Sequence, residues 1–424
     1  MATATLGELL LPQSILSFIS RVKGGRGPIA SWLGFLPSGF DPDSLSVKGP
    51  NVINDAARVT SGVGAGGSLR YYTYRIFDHT RTTLKLRAPG TGPGTIAEQP
   101  MGQNTVVVAR FHDKIPLNYE RLGNLSPMMG PNSQIDQGGQ NYITQMEEVL
   151  ARKSNKTVEV MAAGMMRDSL YVVQVGDDWW PQFAAPNNPA FGGTGTQIGF
   201  QIPFQVPAGN KAQLNLLGAG NLLTVAWNNP NANLIQQLES LKAAYIQLHG
   251  FALTDAWINS TLWPSIGLNT YVRNMAGAVN KPFATYVRKN YGGMEGTGPE
   301  DTFFIELEGV PWLRWHTTDD VAVLNSDIDV SYSTAPSAAN VAKLVPDNLC
   351  IFCTDPKPQE WCVLVEGGEY VVENPGMPGA LRTGWYAWHE YVTQPSAIEL
   401  IVLLNCVPAL YIPTTLAIGT VLGF

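Results

Sequence analysis

A basic hairpin followed by a long helix constrains this chain most, because neither element buries enough surface to fold alone. Two runs rich in β-branched and aromatic residues, Leu69–Phe77 and Thr105–Phe111, suit a pair of strands. The segment Ala88–Gly94 between them consists of turn residues. An isolated two-stranded ribbon is marginally stable in water. The hairpin therefore needs a partner surface.

The predicted hairpin is basic, whereas the rest of the chain is acidic. Residues 68–112 contain six Lys or Arg against Asp78 and Glu98, a net charge of +4 in a chain of −7, so the remainder carries −11. A basic arm on an acidic body favours self-assembly through complementary charge. The candidate inter-subunit contacts are Arg70, Arg75, Arg81, Lys85, Arg87 and Arg110.

A long helix is predicted from Gly139 to Arg167, after a linker that contains Pro116, Pro127 and Pro131. Its apolar residues recur at the spacing of one narrow helix face, and Glu148 and Arg152 form an i,i+4 pair on the exposed side. At the usual rise per residue it would be about 40 Å long. This length suits a rod that crosses a flat domain. The apolar positions are Tyr142, Met146, Val149, Leu150, Val158, Met161 and Met165.

Helices and strands are partly segregated along the rest of the chain, which predicts the α+β class. The predicted helices are Ala232–Leu248, followed by a capping Gly250, and Thr254–Met275, interrupted at Pro264. A loop with Trp179 and Trp180 joins two of the predicted strands. The predicted strands are Leu170–Val175, Gln197–Val206, Thr302–Glu308, Trp312–His316, Leu349–Cys353, Glu360–Val365, Glu369–Val372 and Trp385–Thr393.

Composition indicates a chain whose surface is largely covered by neighbours. Charged residues make up 14% of the 424 residues, against roughly 25% in typical soluble domains. The acidic balance argues against a general nucleic-acid binder. The segment Met1–Ser20 lacks the basic start of a signal peptide and is expected to lie on a neighbour. Pro408 and Pro413 interrupt Leu400–Phe424, which predicts two buried strands rather than a membrane helix.

The motifs of enzyme and cofactor sites do not fit this sequence. Gly62, Gly64 and Gly67 satisfy G-x-G-x-x-G, but a strand follows where a dinucleotide site needs a helix. Phosphate-loop, nucleophile-elbow and zincin motifs do not occur. We therefore expect a structural protein that is not an enzyme and has no catalytic residue, cofactor or metal.

Two clusters of metal-binding residue types have competing interpretations. His316 with Asp319 and Asp320 could bind a divalent ion or act in acid–base chemistry, but a turn between strands explains the same residues. Cys350 and Cys353 form a C-x-x-C with Cys362 nearby, as in zinc sites. Residues three apart in a strand face opposite sides, however, so buried structural thiols are favoured.

The tryptophans have two interpretations as well. They could stack on sugars, although burial in the core or at subunit contacts is the commoner use of this residue. The residues are Trp179, Trp180, Trp312, Trp315, Trp385 and Trp388.

The order of hairpin, long helix and late strand-rich region resembles the tailed-phage major capsid proteins with the Hong Kong 97-like fold, in particular the lambda-type major capsid protein E family. Five stretches carry the resemblance and span most of the chain beyond residue 68. They are ITQMEEVLARKSNKTVEVMAAGMMRDSLYVV from Ile143, LTVAWNNPNANLIQQLESLKAAYIQLHGFALTDAWINSTLWPSIGLNTYVRNM from Leu223, FFIELEGVPWLRW from Phe303, LVPDNLCIF from Leu344 and the final WHEYVTQPSAIELIVLLNCVPALYIPTTLAIGTV. The first 60 residues match poorly.

This resemblance implies a division of the chain into five parts. They are an N-terminal arm (1–67), an extended hairpin or E-loop (68–118), a peripheral domain with a spine helix and β-strands (119–222), an axial domain (223–385) and C-terminal strands that return to the core (386–424).

The function implied by the resemblance is self-assembly into the hexamers and pentamers of an icosahedral shell that encloses phage double-stranded DNA. Scaffolding protein, portal, a decoration protein and weakly bound DNA are the implied partners, without a membrane. The implied location is the virion, after assembly in the host cytoplasm. Some relatives of this fold crosslink a hairpin Lys, and Lys85 is the only Lys available for this, but we expect noncovalent contacts. The alternatives are an encapsulin-like compartment and a carbohydrate-binding or hydrolytic β-protein that uses Trp residues and His316.

Overall fold

The computed structural model describes residues 27–36, 49–54, 59–64, 67–77, 102–118, 137–216, 220–289, 302–324, 341–357, 359–371, 380–393 and 396–423. Both helices and strands are numerous in these stretches, so the predicted α+β class is confirmed. The helices are α1 (Pro28–Leu33), α2 (Gln137–Met166), α3 (Leu234–His249), α4 (Trp263–Leu268) and α5 (Thr270–Ala278).

The strands lie in two large sheets, one three-stranded sheet and one two-stranded sheet within the described residues. They are β1 (Val52–Asn54), β2 (Val59–Gly64), β3 (Gly67–Ile76), β4 (Gly102–Asn118), β5 (Leu170–Val175), β6 (Asp178–Gln182), β7 (Gly199–Ile202), β8 (Lys211–Ala212), β9 (Asp255–Ile258), β10 (Ala284–Lys289), β11 (Thr302–Leu307), β12 (Val310–Thr317), β13 (Val321–Val323), β14 (Val341–Lys343), β15 (Leu349–Cys353), β16 (Cys362–Glu366), β17 (Gly368–Val371), β18 (Ala380–Thr393), β19 (Ser396–Leu410) and β20 (Leu416–Thr420).

The first large sheet has the order β1-β16-β19-β4-β3-β2, and β18 also pairs with β19 and carries β17. Strand β19 organises it, because residues 397–405 pair with β18 on one edge and with β4 on the other, while residues 406–410 pair with β16. The core beneath the sheet includes α1 and the second half of α2. The N-terminal and C-terminal regions of the described chain therefore share one core.

The predicted hairpin forms, and its base is continuous with this sheet. Strand β3 pairs with β4 from Arg70↔Val108 to Ile76↔Gly102, and β2 pairs along β3. Beyond the ribbon, β4 continues in register with β19. The base thus obtains a partner surface from its own chain, whereas the tip lies outside the described residues.

The linker predicted at Pro116 is strand instead, because β4 runs through Asn118. Pro116 lies opposite Glu399 of β19, beyond the part of β4 that pairs with β3. A proline is tolerated where a strand has a neighbour on one side only, since its missing N–H costs no ladder bond there. The other two linker prolines lie outside the described residues.

The predicted long helix is confirmed as α2, which has 30 residues and is therefore about 45 Å long. The exposed Glu148–Arg152 pair is also confirmed, at 3.2 Å. The expectation of a narrow apolar stripe is wrong in two parts of the helix. Val149 is exposed, and residues 158–166 are buried all around the helix, because α1, β5, β6 and β19 pack against α2 from several sides.

The second large sheet has the order β10-β11-β12-β9-β15-β20-β8, and α3, α4 and α5 supply the rest of its core. Gly250 follows α3 in the left-handed conformation at φ +80°, as the predicted cap requires. Leu400–Phe424 contains the buried strands β19 and β20, as predicted. None of the described helices is both long enough and apolar enough to span a membrane.

The helix predicted over Thr254–Met275 is wrong at its start, where the chain forms β9. All four residues of β9 are buried, since the strand lies between β12 and β15, and a fully buried strand lacks the alternation that reveals strands in a sequence. The later break falls at Asn269, whose side chain caps α5, and Pro264 begins α4 instead.

The three-stranded sheet has the order β6-β5-β7. Trp179 and Trp180, predicted to lie in a loop, belong to β6, which pairs with β5 after a tight turn at Gly176, with φ +66°. Strand β7 is shorter than the predicted Gln197–Val206.

Candidate assembly interface

Two of the six predicted basic contacts have described side chains. Arg75 is exposed on β3 and forms no ion pair with the described residues. Arg110 pairs with Glu369 of its own chain at 2.7 Å, and Asn405 Nδ2 donates to the same carboxylate at 3.1 Å. Arg110 is thus partly engaged within the subunit. The side chain of Arg70, like residues Arg81, Lys85 and Arg87, lies outside what the structure describes.

An apolar stripe lies exposed on the outer face of α5, which we call the helix stripe. It consists of Leu268, Tyr271, Met275 and Val279, and Leu268 is 62% exposed. The last three follow one helix face at intervals of four. The adjoining face of α5 buries Val272 in the second core. An exposed apolar stripe of this kind indicates a protein–protein contact.

A second group of exposed apolar side chains lies on the three-stranded sheet and the adjoining loop, and we call this group the aromatic patch. Its members are Val175, Trp179, Phe191 and Ile198, of which Ile198 is 58% exposed. The Trp179 ring lies 6.0 Å from Phe200, and the Phe191 ring lies 6.1 Å from Tyr171 in an edge-on contact. The strand register places Trp179 and Phe200 on one face of the sheet and Tyr171 on the other, so the patch covers both faces.

The tryptophans divide between core and surface. Trp315 and Trp385 are buried, in agreement with the commoner use of this residue, and Trp388 is nearly so. Trp179 belongs to the aromatic patch instead.

One carboxylate in the first half of α2 is buried. Glu147 is 1% exposed, and neither of its carboxyl oxygens has a hydrogen-bond partner within the described part of the chain. Burial raises the pKa of Glu147 to about 8. The folded chain therefore holds this group largely as a neutral acid at neutral pH.

A second buried carboxylate of α2 fixes the segment before the hairpin. Glu159 accepts hydrogen bonds from the backbone N–H groups of Ile29 and Ala30, at 2.9 and 2.7 Å. These are unpaired donors of the first turn of α1. Burial raises the pKa of Glu159 to about 7, although both hydrogen bonds favour its ionised form. Glu159 thus attaches α1 to the long helix.

The proposed acid–base or metal cluster at His316 has different partners from those predicted. His316 Nε2 lies 2.8 Å from Asp255 Oδ1, and both side chains are buried. Arg314 bridges Asp255 and Asp355, at 2.5 and 3.0 Å. Burial opposes ionisation of Asp255, but the hydrogen bond from His316 and the neighbouring charges hold its pKa below the usual value. The arrangement is a buried ion-pair network within the sheet.

The two aspartates of the predicted cluster are engaged elsewhere. Asp319 accepts from the backbone N–H of Ser260 at 2.9 Å, and Asp320 pairs with Lys156 of α2 at 2.5 Å. They lie in the connection between β12 and β13, so the turn interpretation holds. The described stretches contain no cluster of three or more metal-ligating side chains.

The cysteines are buried and unbonded, as predicted. Cys350 faces the second core and Cys353 the first, which is the opposite-face arrangement expected of residues three apart in a strand. Burial raises the pKa of all four thiols, including Cys362 and Cys406.

The sequence analysis did not predict the buried carboxylates of Glu147 and Asp255. Glu147 had a visible signal, because it lies at i+4 from Ile143 and three residues before Leu150, and so falls on the apolar face of α2. Asp255 had none, since 61 residues separate it from His316 and only the sheet brings β9 beside β12.

No protein-family model and no curated protein sequence matches this chain. Among solved structures, a prophage protein from E. coli CFT073 with a provisional capsid assignment is similar over 97% of this chain and 98% of its own, with 10% identity and a TM-score of 0.49. The capsid of cyanophage P-SCSP1u is similar over 87% and 90%, with 11% identity and a TM-score of 0.35. The SrpI encapsulin from Synechococcus elongatus PCC 7942 covers 76% of each chain, with 10% identity and a TM-score of 0.35.

Proposed function

We propose that this chain is the major capsid protein of a tailed phage, a structural subunit that assembles into the icosahedral shell around double-stranded DNA. The observation that carries the proposal is the continuity of one sheet from the basic hairpin, through β4 and β19, to the long helix α2. The β3–β4 hairpin extends from one end of this sheet, and the long helix α2 packs against the sheet elsewhere. The resemblance of the sequence to the capsid family gives both parts a role.

The hairpin acts as a strap across the adjacent subunit. Its base is held by β2 and β19, so its direction is fixed relative to the body of its own subunit. Arg75 is exposed near the end of the described ribbon, and the acidic remainder of a neighbour is a complementary surface. Contacts of this kind are noncovalent, and Lys85 is not assigned a crosslink.

The helix stripe is the main apolar contact within a ring of subunits. It lies in the axial part of the chain, where five or six copies would meet. Burying the stripe would remove about 25 cal/mol of unfavourable hydration for each Å² of apolar surface. Neighbouring copies would also cover enough surface to account for the low content of charged residues.

The proposal includes the five-part division into arm, hairpin, peripheral domain, axial domain and C-terminal strands. It also includes scaffolding protein, portal and decoration protein as partners, weak nonspecific contact with packaged DNA, and assembly in the host cytoplasm into virions. No catalytic step is assigned to the chain.

Negative-stain electron microscopy of the purified chain tests the proposal, with closed particles as the expected result. A compact monomer under all assembly conditions would contradict it. Particles from infected cells should hold nuclease-protected DNA. Particles that hold a protein cargo and no DNA would instead identify an encapsulin-like compartment.

A pair of variants on α5 tests the role of the helix stripe. Met275→Gln places a polar side chain in the stripe and should prevent particle formation while the chain stays folded. Arg273→Gln is the matched control on the same helix, since Arg273 is exposed but lies outside the stripe. Equal yields of particles from both variants would remove the stripe from the proposal.

A further inference from the structure

A pocket beside the C-terminal end of α2 contains an arginine that has no counter-ion among the described residues. The pocket has a volume of about 540 Å³ and lies between the end of α2, the segment after β6 and the strand β14. Arg167, the first residue after α2, lines it. The guanidinium carbon of Arg167 lies 4.2 Å from the centre of the Phe183 ring.

The guanidinium of Arg167 is only partly satisfied. Its Nη1 donates to the carbonyl oxygen of Lys343 at 3.2 Å. Its Nε is buried and has no acceptor, and among the described residues no carboxylate pairs with it. Burial lowers the pKa of Arg167 to about 10, and no neighbouring charge offsets this effect. A partly buried cation in this state is destabilising unless an anion joins it.

The other charged groups of the pocket are already paired. Lys343 Nζ lies 2.6 and 2.8 Å from the two carboxyl oxygens of Asp347, and Asp347 also accepts from Thr261 at 2.8 Å. The pocket therefore presents one uncompensated positive charge. A single negative charge would neutralise it.

The remaining walls of the pocket are partly apolar and include Phe183, Leu324 and Ala342. A planar guanidinium held against an aromatic ring is suited to a carboxylate, which it can bind through two parallel hydrogen bonds. A nucleic-acid backbone suits this pocket poorly, because phosphate binding relies on several cations and Asp347 would repel a second charge.

We propose that the Arg167 pocket binds the carboxylate of an Asp or Glu side chain on a peptide segment whose neighbouring residues are small or apolar. The carboxylate accepts from the edge of the guanidinium that includes Nε, which has no acceptor among the described residues. The apolar walls cover the adjoining residues of the peptide. The site belongs to a single copy and does not depend on shell formation.

Fluorescence anisotropy with a labelled Gly-Leu-Glu-Ala-Gly peptide tests this site. Saturable binding to the unassembled chain is expected, and replacement of the peptide Glu by Gln should weaken it at least about tenfold, or 1.4 kcal/mol. Arg167→Gln should weaken binding as strongly, and Arg167→Lys should weaken it in part because Lys lacks the planar fork. Arg152→Gln is the control, since Arg152 lies exposed on the same helix. Absence of binding, or equal binding to wild type and Arg167→Gln, would overturn the proposal.

Ala342→Asp provides a second test, in which Arg167 itself is not mutated. The new carboxylate lines the same pocket and should raise the melting temperature and block the peptide. Unchanged peptide binding in this variant would contradict the site. Displacement of the peptide by inorganic phosphate more readily than by glutarate would also overturn it, in favour of a phosphate site.

Sedimentation of the wild type and of Arg167→Gln distinguishes the two sources of such a peptide. If a second copy supplies the carboxylate, self-association will be lost in Arg167→Gln and will be inhibited by the peptide. If another protein supplies it, self-association will be unchanged while peptide binding is lost. Both results support a carboxylate site and differ only in its source.

Discussion

Glu159 lies 2.7 Å from the backbone nitrogen of Ala30, which is 129 positions away in the chain. This contact attaches α1 to the buried second half of α2 and completes the first turn of a short helix that has no side-chain cap of its own.

Replacing Glu159 by Ala should lower the free energy of unfolding by about 2–4 kcal/mol, since two buried N–H donors lose their acceptor. Glu148→Ala is the control on the same helix, and loss of its exposed ion pair should cost no more than about 0.5 kcal/mol. Urea unfolding of the unassembled chain measures both. Equal effects would show that the contact with α1 contributes little.

Gly27→Ala should weaken the same contact without changing the carboxylate. A Cβ at position 27 would overlap the Glu159 carboxyl group, so either Glu159 or α1 has to move. At Gly277 in α5, a Cβ would meet nothing within 4 Å, and Gly277→Ala should stabilise the chain by about 0.5–1 kcal/mol through helix propensity. The two substitutions should thus shift the melting temperature in opposite directions. A rise in both would contradict the close approach at Gly27.

Glu147 should make stability fall as the pH rises. Its pKa is raised from 4.5 to about 8 in the folded chain, so the folded state holds its proton more tightly than the unfolded state. This stabilisation is fully present below about pH 4.5 and is lost as the pH rises through 8. Glu147→Gln should therefore be more stable than wild type by more than about 2 kcal/mol at pH 9 and similar to it at pH 5. Parallel pH profiles for the two proteins would contradict the unpaired burial of this carboxylate, with Glu148→Gln as the exposed control.

Asp255→Asn should destabilise the chain by about 3–5 kcal/mol, because it leaves Arg314 and His316 without their shared carboxylate. Asp319→Asn should cost about 1 kcal/mol, since it weakens a single exposed hydrogen bond. The pKa of Asp255 is lowered in the folded chain, so its contribution is present above the ordinary pKa and is lost as the pH falls below that value. Chemical unfolding at neutral and acidic pH checks both the magnitude and the direction. A similar cost for both variants would contradict the network.

The four cysteines should be unreactive toward DTNB in the folded chain, because buried thiols with raised pKa values form little thiolate. All four should react once guanidinium unfolds the protein. Rapid reaction of one thiol in the native state would show that its part of the core opens readily.

The local pattern of residues determined much of the secondary structure. The abundance of β-branched and aromatic residues in two runs predicted the pairing of β3 with β4, and the apolar spacing predicted α2. The opposite faces of Cys350 and Cys353 followed from strand geometry alone, since the direction of a side chain in a strand depends only on its position. These features need no information about distant parts of the chain.

Tertiary structure alone decided which segments are buried and which charged groups pair, because both depend on contacts between segments that are distant in the chain. The sheet set β9 between two strands and so buried a segment whose sequence resembles a helix. It also joined Asp255 to His316, although the sequence had suggested Asp319 and Asp320 as the partners. Packing on several sides buried the second half of α2, and Glu147 and Arg167 have no counter-ion in the stretches that the structure describes. Sequence periodicity reports the faces of one element, whereas burial and charge pairing are properties of the contacts between elements.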